Sequence, residues 1–169
     1  MRFRKSNYQD IKEIMILINQ AKEYLKLKGV NQWQDGYPNE EVIKEDIAKG
    51  ESYILISNDK IVGTSTICFS GENTYDNIFG GEWLTKNKYI VMHRVAVHDD
   101  FKGTGIFRKI LCEASKLSTM NNINSIKIDT HEDNLSMQKA LINNGFKRCG
   151  IIYLENGDKR IAFEKIINR

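Results

Sequence analysis

The stretch from Val95 to Leu111, Val-Ala-Val-His-Asp-Asp-Phe-Lys-Gly-Thr-Gly-Ile-Phe-Arg-Lys-Ile-Leu, limits what this chain can fold into more than any other. It opens on an apolar run of strand type, crosses a polar turn that carries Gly103 and Gly105, and continues in a helical pattern. Glycines at that spacing let the backbone take conformations closed to other residues and come close to a ligand. The amides at the start of the following helix face outward with the positive end of its dipole, so a phosphate or pyrophosphate fits there. Alone, the pattern also describes an ordinary strand-to-helix turn. Two nucleotide motifs are excluded. No Gly-Lys-Ser/Thr follows at P-loop spacing, and Arg108 fills the third glycine position of Gly-x-Gly-x-x-Gly.

The rest of the chain reads as a succession of short elements. Met1 to Lys5 is a short edge strand. From Tyr8 to Leu27, Ile11, Ile14, Met15, Ile18, Ala21 and Leu25 recur at steps of three and four, one face of a helix ending near Gly29. Asn39 is placed to cap a second helix, with Glu40 and Glu41 in its positive first turn and Val42, Ile43 and Ile47 inward. Ser52 to Ser57 and Lys60 to Phe69 form a hairpin at Asn58-Asp59. A polar loop over 70–86 surrounds Trp83, and Lys88 to His98 is the next strand. Then come a helix over 104–120, a strand over 125–130, a helix over 134–144, and strands over 147–154 and 159–166 joined through Asn156-Gly157. The fold class is mixed α/β, with no repeat.

At 169 residues the chain reads as one domain over 1–169. A hydrophobic content of 41%, a charged content of 28% and a single proline describe a globular protein rather than a disordered one. The net charge of +3, with signs mixed, calls neither for nucleic acid nor for an anionic membrane. Cys68, Cys112 and Cys149 are odd in number and widely spaced, which suggests neither a disulfide framework nor a metal site. Arg2, Arg4 and Lys5 lack a following apolar core of signal type, and no apolar run approaches the ~20 residues of a membrane span. The expected compartment is the cytoplasm.

The turn and helix resemble the central motif of the GCN5-related N-acetyltransferases, Arg/Gln-x-x-Gly-x-Gly/Ala, which wraps the pyrophosphate of acetyl-CoA. Lys102-Gly103-Thr104-Gly105-Ile106-Phe107 occupies those six places. A second family motif, a strand, a short turn, an Asn-headed helix and a Gly-Phe at its end, is matched by Ser125 to Asn134 followed by Gly145-Phe146. The resemblance spans roughly Met1 to Ile167, with the specific motifs between 91 and 146. It implies a mixed, mostly antiparallel sheet of seven strands with splayed central strands, flanked by four helices. It also implies an acetyl-CoA-dependent N-acetyltransferase.

The same resemblance implies roles for particular residues. The strand Arg94 to Val97 pairs its backbone with pantetheine, so Val95, Ala96 and Val97 are cofactor-binding, and the Val97 amide is the donor to the thioester oxygen. The amides of Lys102, Gly103, Thr104, Gly105, Ile106 and Phe107 hold the phosphates, and Lys102 adds its charge. Phe107 stands where the family has Gly or Ala. Asn134 matches an asparagine that holds the cofactor arm, although asparagine is also an ordinary N-cap. The family's tyrosine seven residues later, which protonates the thiolate, is Leu141 here. Tyr153 is the preferred replacement and Cys149 the second choice, although tyrosines on strands more often pack than react.

For the base that strips the amine proton the choice is His93, four residues before Val97 and on one strand face with Val95 and Val97 by alternation. His131 is its rival and the third histidine, His98, is the weakest. Trp33, Tyr37 and Trp83, with His131, are the acceptor-binding set, because the segment between the first two helices and the 70–87 loop line the acceptor groove in this fold. Plugging the core is the plainer reading of such aromatics. A covalent cysteine route is disfavoured, since Cys112 is predicted on the core side of its helix and Cys149 has no histidine partner in sequence. The partner is then a small-molecule or peptide amine, with a homodimer open. From another class comes the alternative, a non-catalytic acyl-CoA-binding sensor of the same fold, kept alive by Leu141 and Phe107.

Overall fold

The computed structural model describes residues 1–167. Seven strands run in the order β1-β2-β3-β4-β5-β7-β6 in a mixed sheet. They are β1 (Arg2–Lys5), β2 (Ser52–Ser57), β3 (Lys60–Cys68), β4 (Ile90–Val97), β5 (Ser125–Thr130), β6 (Lys147–Tyr153) and β7 (Lys159–Ile166). Among the described residues four α-helices accompany them: α1 (Ile11–Leu27), α2 (Glu40–Ala48), α3 (Ile106–Met120) and α4 (Leu135–Asn143). The class is the expected α/β. The chain forms two compact units, one of Met1–Ile67 with His93–Glu113, the other of Cys68–Met92 with the residues from Ala114 onward.

Local chemistry explains why the helices stop where they do. In α1 the Gly29 amide donates to the Lys26 carbonyl and the Val30 amide to the Leu25 carbonyl, at 3.0 and 2.9 Å. This double bond pattern satisfies the orphan carbonyls of the last turn and needs a left-handed residue, Gly29 at φ 69°. Both Leu25 and Val30 are buried, which adds the apolar clasp of the motif. The other three helices close with the same two bonds, through Gly50, Asn122 and Gly145. The start of α2 is capped as expected: the Val42 amide donates to Asn39 Oδ1 at 3.1 Å.

In the first unit β1, β2 and β3 are joined by antiparallel pairing, and the β2–β3 turn is made by Asn58 and Asp59 at φ 48° and 60°. One face of these strands meets Ile11, Ile14, Leu17 and Ile18 of α1 and Ile43 of α2 around Ile54, Ile56, Ile61 and Ala96. At about 25 cal/mol per Å² of apolar surface, each fully buried Ile or Leu adds roughly 2 kcal/mol to this core.

Within the second unit β7 pairs antiparallel with both β5 and β6. β4 joins β5 in parallel at Ile90–Ile126 and Val91–Lys127, near the N-terminal end of each strand. β6 is an edge strand, and Phe79 from the loop before β4 bridges to Ile151 on it. A second apolar cluster holds Tyr75, Val91, Ile152 and Ala162, with Trp83 and Tyr89 packed against it.

Two expectations change. Cys112 is exposed rather than on the core side of its helix, because the buried stripe of α3 runs through Ile106, Ile110, Leu111 and Ala114. The alternation that placed His93, Val95 and Val97 on one face is interrupted, because Arg94 between them has φ 50°. A left-handed residue inside a strand re-aims the side chains beyond it.

Candidate active site

In the first unit the predicted phosphate turn begins with His98. Its amide donates to the Val62 carbonyl, and its Nδ1 accepts from the Asp100 amide at 3.3 Å. His98 is therefore occupied in shaping the turn. Gly103 and Gly105 have φ 78° and 86°, and a Cβ added at either would meet nothing within 4 Å. Both the backbone conformation and the open face suit a ligand that lies directly on the main chain. α3 starts at Ile106 rather than at 104, so Thr104 and Gly105 belong to the turn. The Ile106 side chain is buried and Phe107 is half-buried.

Lys102 is already engaged. Its ammonium forms an ion pair with Asp99 and lies 4.5 Å from the centroid of the Tyr24 ring on α1. The Asp99 amide donates to Gln20 Oε1 of the same helix at 3.0 Å. Two contacts thus tie the turn to α1.

Upstream of the turn, β4 presents Val95 and Val97 half-buried, with Ala96 in the apolar cluster between them. His93 is half-buried on the same strand. Arg94 carries a network that the sequence reading passed over. Its Nε and Nη2 donate to the two carboxylate oxygens of Asp46 at 2.7 Å each, and Nε also reaches Thr66 Oγ1 at 3.2 Å. Nη1 donates to Tyr37 Oη at 2.6 Å. Burial works against the Arg94 charge, but Tyr37 and Asp46 outweigh it and hold the guanidinium pKa above its ordinary value. A signal for the pair was present: an arginine inside the apolar run Val91 to Val97, and an aspartate on the inward stripe of α2 between Ile43 and Ile47. Buried charges need partners.

The predicted acceptor-binding aromatics divide between packing and exposure. Trp33 packs on the apolar cluster of the first unit. Trp83, in the second unit, is spent on structure: its indole N–H donates to the Tyr75 carbonyl at 2.8 Å, and the buried Lys127 ammonium lies 4.2 Å from its ring and 3.8 Å from that of Tyr89. Burial pushes the Lys127 pKa down. Tyr37 alone of the three keeps an exposed ring, 39% accessible, with a hydroxyl in a defined hydrogen bond.

His131 accepts the Asp133 amide on Nδ1 at 3.1 Å. A neutral imidazole that accepts on Nδ1 carries its hydrogen on Nε2, so His131 is arranged as a donor rather than as a base. Asn134 caps α4, accepting from the Met137 amide at 3.2 Å and from Ser136 Oγ at 3.0 Å. Leu141 is fully buried. Tyr153 lies on the edge strand β6, 47% exposed and edge-to-face with Phe79, with β7 between β6 and β5. Burial raises the Cys149 pKa, which makes that thiol a poor nucleophile and a poor acid.

Among the described residues there is no cluster of three His, Cys, Asp or Glu able to hold a metal, and no helix long and apolar enough to cross a membrane. The model of the acetyltransferase (GNAT) family matches residues 15–146. A GNAT-family acetyltransferase from Streptococcus agalactiae 2603 is 32% identical, with 99% of this chain and 96% of that one covered at a TM-score of 0.90. A GNAT-family acetyltransferase from Listeria monocytogenes shares the fold at 21% identity and a TM-score of 0.74, over 98% and 94% of the two chains. So does the PaiA N-acetyltransferase of Thermoplasma acidophilum in complex with coenzyme A, at 14% identity and 0.71, over 98% of each. No curated protein matches the chain.

Proposed function

Because the chain belongs to the GNAT acetyltransferase family, we propose that it is an acetyl-CoA-dependent N-acetyltransferase that acts on a primary amine of a small molecule or peptide by direct transfer. The observation that carries this reading is the open glycine turn at 103–105, where nothing lies within 4 Å of the positions a side chain would fill, at the head of α3. That cradle fits a pyrophosphate, and the coenzyme A complex of PaiA is a precedent within the fold.

In this reading acetyl-CoA supplies the acyl group and the chain does the rest. The amides of residues 102–107 hold the phosphates, and the Val97 amide donates to the thioester oxygen as negative charge grows there. His93 takes the proton of the acceptor ammonium, directly or through water, as the general base. The amine nitrogen bonds to the acetyl carbon as the carbon–sulfur bond breaks, and the second amine proton goes to the sulfur. The raised Cys149 pKa favours direct attack over a thioester on the protein. Tyr153, exposed and packed on Phe79, is not assigned as the acid.

The test is free-thiol release from acetyl-CoA with a panel of amines, amino acids, polyamines and short peptides, beside calorimetric acetyl-CoA binding on the same sample. Binding with amine-dependent release is expected. Binding without release across the panel would favour the sensor reading, for which the buried Leu141 in place of the usual acid is the supporting feature. Absence of binding would overturn both.

A further inference from the structure

The left-handed Arg94 is held by its side chain. A non-glycine residue at φ 50° within a strand is sterically disfavoured and persists only where its surroundings over-determine it. Here three groups do so: the Asp46 carboxylate gripped by two nitrogens, Thr66, and the Tyr37 hydroxyl. The Arg94 and Asp46 side chains are 13% and 5% exposed, so the pair is nearly sealed and neutralises itself. What it offers outward is Nη1, which is given to Tyr37 Oη at 2.6 Å.

That bond sets the polarity of Tyr37. A phenol oxygen that accepts from a guanidinium has its own hydrogen left to give, and a neighbouring cation strengthens it as a donor. The Tyr37 ring is half-exposed, in a segment that ends at Pro38 just before α2. Along β4, Arg94 precedes Val97 by three residues, at most about 10 Å of strand. A peptide of two or three residues has that reach, with its amine at one end and a carbonyl or carboxylate oxygen further along.

We propose that Tyr37, with Arg94 as its positioning residue, donates a hydrogen bond to a carbonyl or carboxylate oxygen of the acceptor, so that short peptides are preferred over plain alkylamines and polyamines. The inference rests on the acetyltransferase reading. A second ammonium, as in a polyamine, has only donors to set against a donor.

The experiment compares glycyl di- and tripeptides with the matching amines that lack the carbonyl groups, in thiol release and in calorimetry on the protein loaded with coenzyme A. The wild-type protein is expected to favour the oxygen-bearing member by about tenfold or more in kcat/KM, the size of one good hydrogen bond. Tyr37→Phe removes most of that preference, mainly by raising the KM of the oxygen-bearing member, and leaves acetyl-CoA affinity in place. Arg94→Lys lowers the preference in the same way, and in the Tyr37→Phe background it adds less than about twofold, since it acts through the missing hydroxyl.

Equal or better use of plain amines by the wild type overturns the proposal. So does a Tyr37→Phe effect of equal size on both members of a pair, or full multiplication of the two substitutions. If no amine supports thiol release, the acetyltransferase reading fails separately. Calorimetry then decides the Tyr37 inference: tighter binding of the oxygen-bearing member that Tyr37→Phe abolishes supports it, and equal binding overturns it.

Discussion

The ammonium of Lys102 rests over the ring of Tyr24 at 4.5 Å while it is paired with Asp99, so the first residue of the 102–107 phosphate motif is fastened to α1. Its charge is shared before any cofactor arrives, and it should act mainly by holding the turn. Lys102→Met is therefore expected to weaken acetyl-CoA binding by no more than about tenfold by calorimetry, in line with the small worth of exposed ion pairs. Gly105→Glu should abolish binding in a folded protein. It puts a carboxylate against the pyrophosphate and a side chain at φ 86°. Retained binding by that variant would sink the assignment of the turn.

His93→Gln is expected to leave acetyl-CoA affinity unchanged while it flattens or displaces the alkaline rise of kcat/KM. The measurement is the pH–rate profile of both proteins with one acceptor. A wild-type profile and rate in the variant would make His93 structural. His131, with Nδ1 taken by the Asp133 amide, is not arranged to replace it, which leaves a water relay.

Removal of one partner from the sealed Arg94–Asp46 pair should be costly. Asp46→Ala leaves the guanidinium among Thr66 and Tyr37 with no anion, and the expected loss is ~3–5 kcal/mol in urea unfolding. A loss under about 1 kcal/mol would mean that water or another group takes over.

Asn122 closes α3 in the conformation that glycines provide for the other three helices, at φ 57°. Asn122→Gly should be neutral or stabilising by up to about 1 kcal/mol, because relief of left-handed strain is set against the larger entropy of glycine in the unfolded chain. Thermal unfolding of the two proteins measures it, and a clear drop in Tm would show that the Asn122 side chain contributes more than its backbone.

Asp10 accepts two hydrogen bonds from Arg4, at 2.8 and 2.9 Å, and these, with the Asn7 amide, hold its carboxyl pKa below the ordinary value. A depressed folded-state pKa contributes stability that is present above the unfolded value near 3.9 and is lost as the pH falls through the folded value. The contribution is under about 1 kcal/mol after solvent screening, because Arg4 is about one-third exposed. Asp10→Asn should flatten the acid limb of stability below about pH 4 and leave its shape above pH 5 unchanged.

Several features of the molecule are set by residues close in sequence. The helix ends at Gly29 and Gly145, the cap at Asn39, the hairpin at Asn58-Asp59 and the turn at Gly103 and Gly105 lie where the sequence places them. Each depends on a hydrogen bond or a backbone preference within a few residues. The family motif was legible for the same reason, since it is a local pattern of glycines between a strand and a helix.

Tertiary structure decided what depends on distant partners. Arg94 takes its left-handed conformation with groups on α2, β3 and the segment before α2, 28 to 57 residues away. That conformation interrupts the alternation on which the placement of His93 relied. Trp83 reads as a groove aromatic until the Lys127 ammonium, 44 positions on, is found over its ring. Cys112 falls outside the buried stripe of α3 because the sheet, not the helix, sets which side is covered. Local propensity fixes each element alone, but a buried charge or ring is satisfied only by what the order of strands brings beside it.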